Sequence, residues 1–247
     1  MLITGASSGI GAALARAYAE PGARLALSGR SLERLEDVAD ACRALGAEVA
    51  TACIEVTDRD AMADWVAEHT AARPLDLLVA NAGVSAGTGS GGESDLQTRQ
   101  IFATNVDGVI NTVLPALDPM RRRGYGQIAI MSSLAGFRGF PGAPAYCASK
   151  AAVRIWGESL RAHLRPHGIG VSVICPGFVR SRMTEVNDFP MPLLMDAEKA
   201  AEVVRKGLAR DKARIAFPWR LWAAIWLLAA LPPGLTDRLL ASLPEKR

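Results

Sequence analysis

A tyrosine at 146 and a lysine at 150, in the run Pro144-Ala145-Tyr146-Cys147-Ala148-Ser149-Lys150, set a proton donor four positions before a cation. On a helix that spacing puts both side chains on one face, with Cβ atoms about 5–6 Å apart. A phenol with an ordinary pKa of about 10 is a poor acid or base near neutrality. A neighbouring ammonium stabilises its phenolate by about 4 kcal/mol at an effective dielectric of about 20, which would lower the pKa into the range for general acid–base work. The same spacing is common on solvated helix faces, so the chemistry stands only if other residues converge on the spot.

A second group could hold phosphate. Thr4-Gly5-Ala6-Ser7-Ser8-Gly9-Ile10-Gly11 follows a short apolar strand and runs into a helix. Glycines there let the backbone approach a pyrophosphate, and the helix start offers unpaired N–H groups and a partial positive charge. The spacing is GxxxGxG rather than GxGxxG, but the strand–turn–helix context of a dinucleotide site is kept.

The elements that must position these groups appear as short apolar runs alternating with longer amphipathic ones, the pattern of repeated βαβ units and a parallel sheet. Strands are expected at 1–3, 24–28, 48–53, 75–80, 127–132, 170–175 and 214–217, and helices at 9–20, 32–45, 58–71, 96–122, 144–164 and 197–210. In such a sheet ligands bind beyond the carboxyl ends of the strands, where both groups fall. The fold class expected is α/β: a doubly wound, Rossmann-type, seven-stranded parallel sheet with helices on both faces. Residues 1–217 form the catalytic domain, and 218–247 an apolar C-terminal extension that is not a separate domain.

At 247 residues, 50% hydrophobic and 21% charged, the chain can bury a large core within one domain, which argues against disorder and coiled coil. A net charge of +3 with no long block of like charge gives no case for a nucleic-acid surface. Arg121-Arg122-Arg123 before Gly124 reads as a helix end, where cations suit the macrodipole. Cys42, Cys53, Cys147 and Cys175 form no CxxC pair and no metal cluster with His69, His163 and His167, so a reducing compartment and no metal are expected. With no charged segment ahead of an apolar stretch at the start, a cytoplasmic location is expected.

Taken together the motifs resemble the short-chain dehydrogenase/reductase family, in its single-domain form. Besides the glycine turn and the Tyr146/Lys150 pair, the chain carries Ala80-Asn81-Ala82-Gly83 after the fourth strand, Thr104-Asn105-Val106, Ser132-Ser133-Leu134-Ala135-Gly136, and Pro176-Gly177-Phe178-Val179-Arg180-Ser181. The resemblance implies a catalytic set of Asn105, Ser133, Tyr146 and Lys150. Tyr146 would exchange a proton with the substrate oxygen, Ser133 would hold that oxygen, Lys150 would bond the nicotinamide ribose, and Asn105 would hold a relay water. It implies a cofactor site of Gly5, Ser7, Ser8, Gly9, Ile10, Gly11, Arg30, Glu55, Val56, Asn81, Ala82, Gly83, Tyr146, Lys150, Pro176, Gly177, Val179 and Ser181. Glu55-Val56 stands where the family has Asp-Val against adenine, and Ser181 replaces a threonine beside the carboxamide.

Cofactor choice turns on the end of the second strand, Ser28-Gly29-Arg30-Ser31. An acid there would select NAD through the ribose 2′-OH, whereas an Arg accommodates the 2′-phosphate of NADP. With Gly29 in the acid's place and Arg30 beside it, NADP is expected over NAD; Arg30 as a merely solvated residue is the competing reading.

Three segments, 84–94, 134–145 and 178–195, should border a substrate pocket. They supply Phe137, Phe140, Phe178, Met183, Phe189, Met191, Leu193 and Met195, which could line an apolar site or belong to the core. Arg138, Arg180 and Arg182 could meet an anionic group, and residues 87–92 could form a gate. After Trp219-Arg220, the run from Leu221 to Leu231 is apolar all round yet too short to span a bilayer, so it must bury itself as a pocket lid, in a subunit interface or at a membrane surface. The activity implied is NADP-dependent hydride transfer on a lipophilic carbonyl or alcohol, by a homo-oligomer (dimer or tetramer) with possible membrane contact. The alternative is an NADP-sensing or scaffold protein that keeps the fold.

Overall fold

Seven parallel strands form one sheet in the order β3-β2-β1-β4-β5-β6-β7 in the computed structural model, which describes residues 1–85, 92–187 and 189–241. The elements run β1 (Leu2–Ile3), α1 (Gly9–Ala17), β2 (Arg24–Gly29), α2 (Leu32–Ala44), β3 (Glu48–Cys53), α3 (Arg59–Ala72), β4 (Leu77–Ala80), α4 (Asp95–Phe102), a π-turn (Ala103–Asp107), α5 (Gly108–Arg123), β5 (Gly126–Met131) and α6 (Pro144–Leu164). They continue with β6 (Ile169–Pro176), α7 (Arg182–Glu185), α8 (Ala197–Leu208), β7 (Arg214–Phe217), α9 (Trp219–Ala230) and α10 (Pro233–Ala241).

Strand side chains alternate between two faces, and each face has its own core. Ile3, Leu27, Val79 and Ile174 pack under α1, α2 and α8 with Leu14, Leu35 and Val204. Leu2, Leu78, Ile128 and Val171 pack under α3, α5 and α6 with Met62, Trp65, Val113 and Leu164. Strands buried on both sides read as unbroken apolar runs, which is why their positions were visible in the sequence.

The order reverses between β1 and β4, whose registers pair Leu2 with Ala26 on one side and Leu78 on the other. Loops leaving these strands turn opposite ways and open a crevice at the carboxyl edge. The expected helix at 96–122 is instead two α-helices joined by the π-turn, the reason for which is the Asn105 side chain described below. The three arginines do close α5, with Gly124 left-handed at φ 70° as its C-cap. Arg123 also donates to the Leu75 carbonyl at 2.7 Å, tying the helix end to the loop before β4.

Candidate active site

The crevice holds a continuous cavity of about 1000 Å³, running from Arg30, Arg34 and Glu55 past the glycine turn to Ser133, Tyr146 and Lys150. Gly5 and Gly9 turn with φ 65° and 56°, values open to glycine at no steric cost. Thr4 Oγ1 accepts from the N–H groups of Asn81 and Ala82 at 3.1 and 3.2 Å. Asn81 Nδ2 donates to the carbonyls of Thr4 and Gly5 at 2.9 and 3.1 Å. The turns after β1 and β4 are thereby locked together, and Ala82 and Gly83 line the cavity beside them.

Gly11 is the one glycine of the turn that does not line the cavity. It lies behind the turn, where a Cβ would stand 2.4 Å from the Gly5 carbonyl oxygen and 2.5 Å from Asn81 Nδ2. Its role is to let the helix approach the turn, not to touch a ligand as the sequence reading had it. Gly11→Ala is expected to cost roughly 1–3 kcal/mol of stability through overpacking. Thermal unfolding checks this, and an unchanged Tm would contradict the packing account.

At the other end Tyr146 projects from the first turn of α6, which opens with Pro144. Glu93 caps that turn: its carboxylate accepts from the N–H of Ala145 and, at 3.3 Å, from that of Tyr146. Sequence reasoning missed Glu93, because nothing local marks a carboxylate that caps a helix fifty residues on. The Tyr146 carbonyl accepts from Ser149 Oγ at 2.8 Å, and Ser149 Oγ in turn accepts from Asn105 Nδ2 at 3.0 Å. Asn105 is fully buried and also exchanges two hydrogen bonds with the Val84 backbone, at 2.8 and 2.9 Å. It lies beneath the cavity rather than in it, and holding it there accounts for the π-turn, a device that recurs at functional sites.

Ser133 follows β5, where its hydroxyl accepts from the Ala135 N–H at 3.1 Å and donates to the Pro176 carbonyl at 3.4 Å, beside the Tyr146 phenol. Lys150 is buried, with Nζ donating to the Met131 carbonyl at 3.1 Å and lying 5.8 Å from the Tyr146 ring centre. Burial pushes the Tyr146 phenol above its ordinary range, against the downward pull of Ser133, and brings the Lys150 ammonium down to about 8. The expected lowering of the tyrosine by the lysine is therefore reversed within the protein alone. At this separation and burial, desolvation of both charged forms outweighs their attraction. Cys147, next in the chain, is also pushed up by burial and is no competing nucleophile.

Of the apolar residues expected around a substrate, Phe140, Phe178, Met183 and Phe189 line the cavity. Phe137 does not: it packs on Leu134 and Val173, with the guanidiniums of Arg154 and Arg214 at 4.6 and 5.1 Å from its ring centre. Met195 packs against the core, Met191 accepts from Asn187 Nδ2, and Leu193 is half exposed. Arg180 is paired with Asp196 at 2.9 Å, and Arg138 donates to Thr236 Oγ1 on α10; Arg182 lines the cavity. Residues 86–91, most of the expected gate, lie outside the described residues. In the C-terminal run, Leu221 and Ile225 line the cavity, while Trp219, Trp226 and Leu227 are exposed.

The match to the model of the short chain dehydrogenase family extends over residues 1–189. The chain belongs to that family. This short-chain dehydrogenase is 42% identical over 237 residues to an uncharacterized oxidoreductase of Myxococcus xanthus, covering 96% of this chain and 94% of the relative. Among solved structures, a short-chain dehydrogenase of Sphingobium yanoikuyae in complex with NADPH superimposes with a TM-score of 0.79 at 25% identity, covering 100% of this chain and 96% of that one. One of Mycobacterium paratuberculosis bound to NAD gives 0.77 at 27% identity, covering 87% and 93%. This short-chain dehydrogenase is an oxidoreductase of CH–OH groups, with a nucleotide-binding Rossmann-type fold.

The residues present suit a nicotinamide dinucleotide. The α1 N-terminus has no acidic residue in its first turn, so it is open to an anion. Arg30 and Arg34 line the cavity and, among the described residues, neither enters an ion pair. Gly177, Val179 and Ser181 border the path between the glycine turn and Tyr146, with Ser181 close enough to α1 that a Cβ on Gly9 would lie 2.9 Å from its own.

Proposed function

We propose that this short-chain dehydrogenase uses NADP to interconvert the carbonyl and alcohol of a lipophilic substrate. One observation carries the reading: a single cavity has Arg30 and Arg34 at one end, Ser133, Tyr146 and Lys150 at the other, and Phe140, Phe178, Phe189, Met183, Leu221 and Ile225 beside the latter. When bound, the nicotinamide supplies the hydride exchange at its C4. In reduction the Tyr146 phenol donates its proton to the substrate oxygen, and Ser133 holds that oxygen as charge develops on it. Lys150 bonds the nicotinamide ribose and supplies positive charge beneath the tyrosine. Asn105 and Ser149 fix the first turns of α6, and the Asn105 side chain, spent on Val84 and Ser149, acts through them rather than by holding a relay water itself. The glycine turn and the α1 N-terminus hold the pyrophosphate, Glu55 and Val56 flank adenine, and Pro176 to Ser181 hold the carboxamide.

Arg30 is exposed, lines the cavity and enters no ion pair among the described residues, which supports its bonding a 2′-phosphate. Hydrogen bonds to charged groups contribute about 1.5–3 kcal/mol, so Arg30→Ala is expected to raise the KM for NADPH by roughly 10- to 100-fold and to leave that for NADH nearly unchanged. Initial rates with both cofactors check this. A wild-type preference for NADH would sink the NADP assignment, and absence of turnover on a broad carbonyl panel would favour a nucleotide-sensing protein instead.

Residues 1–217 act as the catalytic domain, and the extension from 218 closes one side of its cavity. Self-association is supported by large apolar residues left exposed on three helices: Leu96 and Phe102 on α4, Leu114 on α5 and Ile155 on α6. Sedimentation velocity reading a dimer or tetramer would agree; a monomer across the working concentration range would not.

A further inference from the structure

The helix that closes the cavity also leaves a large apolar surface uncovered. On α9, Trp219 is 68% exposed, Trp226 54% and Leu227 61%; Leu231, the C-cap of α9, is 43% exposed, and Leu235, past Pro232 on α10, is 74% exposed. The opposite edge is anchored, since Leu221, Trp222 and Ile225 pack on Leu134, Val173 and Cys175. The pair is tied to the domain by Arg138 bonding Thr236 and by the buried Leu240. These outward residues are thus presented on a docked scaffold. Exposed aromatic and aliphatic residues concentrated on one element mark a contact site.

Charge distinguishes the possible occupants. From Lys212 to Thr236 there is no acidic residue, whereas Lys212, Arg214 and Arg220 are basic. Arg214 is neutralised by Glu158 at 3.0 Å, which leaves Lys212 and Arg220, the latter lying over the Trp219 ring at 5.6 Å. α10 adds one acid, Asp237, and one base, Arg238, so the segment stays net positive, and a two-fold contact with a second copy would set it against itself. Anionic headgroups would meet the cations while tryptophan and leucine enter the acyl boundary, the arrangement of interfacial helices. With 12 residues α9 is too short to cross a bilayer, and no helix among the described residues is long and apolar enough to do so.

We propose that the outer face of α9 and α10 docks on an anionic lipid bilayer. Because Leu221 and Ile225 of the same helix line the cavity, docking sets the substrate site against the bilayer, so a lipophilic carbonyl can enter from lipid rather than from water; this last step rests on the function proposed above.

The test is flotation of the full-length protein with vesicles of phosphatidylcholine containing phosphatidylglycerol, and with phosphatidylcholine alone, comparing wild type with the double variant Trp226→Glu, Leu227→Glu. Wild type is expected to float with the anionic vesicles, less with the neutral ones, and less in high salt. The double variant should partition at least about tenfold more weakly, since one large apolar side chain contributes that much or more. It should retain wild-type turnover of a short, water-soluble ketone. Failure of wild type to float, or equal binding to both vesicle types, would overturn the proposal. So would a variant that floats normally but has lost a concentration-dependent oligomer, which would assign the face to a second copy. Flotation needs no catalysis, so a failed function assignment would show separately, as absence of turnover.

Discussion

Tyr146→Phe is expected to lower kcat for carbonyl reduction by roughly 10²–10⁴-fold, the range contributed by a positioned general acid. The substitution removes one oxygen and leaves the ring, whose position follows from α6. That helix start is held by the Glu93 carboxylate on the Ala145 and Tyr146 N–H groups and by Ser149 on the Tyr146 carbonyl, none of which involves the phenol. Ser133 keeps the Ala135 N–H and the Pro176 carbonyl. The variant should therefore fold and bind nucleotide as wild type does, which separates a lost proton donor from a damaged site. Because burial raises the phenol, it stays protonated through neutral pH in the ligand-free protein, ready as an acid in reduction. The oxidation direction needs the phenolate, so its rate should climb with pH. A Tyr146→Phe enzyme retaining kcat within a few-fold of wild type would end the mechanism proposed here.

The second large effect concerns Lys150, where activity and stability should move in opposite directions. Its ammonium is 3% exposed, meets the Met131 carbonyl at 3.1 Å, and is brought down to about 8 by burial. The sign follows from proton binding: the unfolded chain, with an ordinary lysine near 10.4, binds more protons than the native one between the two values, so this group's penalty fades as pH rises. Below pH 8 the penalty is about 3 kcal/mol on the conversion of about 1.36 kcal/mol per pKa unit. Lys150→Met removes it and leaves the Met131 carbonyl without this donor, at about 1 kcal/mol. The variant should be inactive yet more stable than wild type by about 2 kcal/mol at pH 7, with the advantage shrinking between pH 8 and 10. Denaturant midpoints across that range check it, and a variant less stable than wild type at pH 7 would refute the desolvation account.

The parallel sheet was legible because the inner strands are buried on both faces and read as apolar runs, while the edge strand β3, with no buried residue, showed only in the alternation of elements; all seven fall within a few residues of where they were expected. The site was legible where a residue type is demanded by local backbone, as at Gly5 and Gly9. What escaped depends on distant partners. The π-turn is held by Asn105 reaching Val84 and Ser149, contacts invisible in a helical periodicity that reads straight through 96–122. Arg138 and Arg180 looked free for a ligand until the fold supplied Thr236 and Asp196. Phe137 and Phe140 are alike in sequence, yet a single turn sends one between two guanidiniums and the other into the cavity. The apolar run after Phe217 gave no polar face to orient it, so its two sides became distinct only once one was seen packed on β6.

The central place of β1 also bears on the order in which the chain assembles. Only Leu2 and Ile3 pair there, and their partners are residues 26–27 on one side and 78–79 on the other. A two-residue strand contributes few hydrogen bonds of its own, so it is held only when β4 closes a loop of some seventy-five residues, a costly non-local step. During synthesis, the turn from Gly5 to Gly11 therefore waits, without its Asn81 anchor, until β4 and the loop after it have left the ribosome. Slowing translation after β4 and Asn81 have cleared the exit tunnel, rather than at their own codons, should bear directly on how much of this protein reaches its native state.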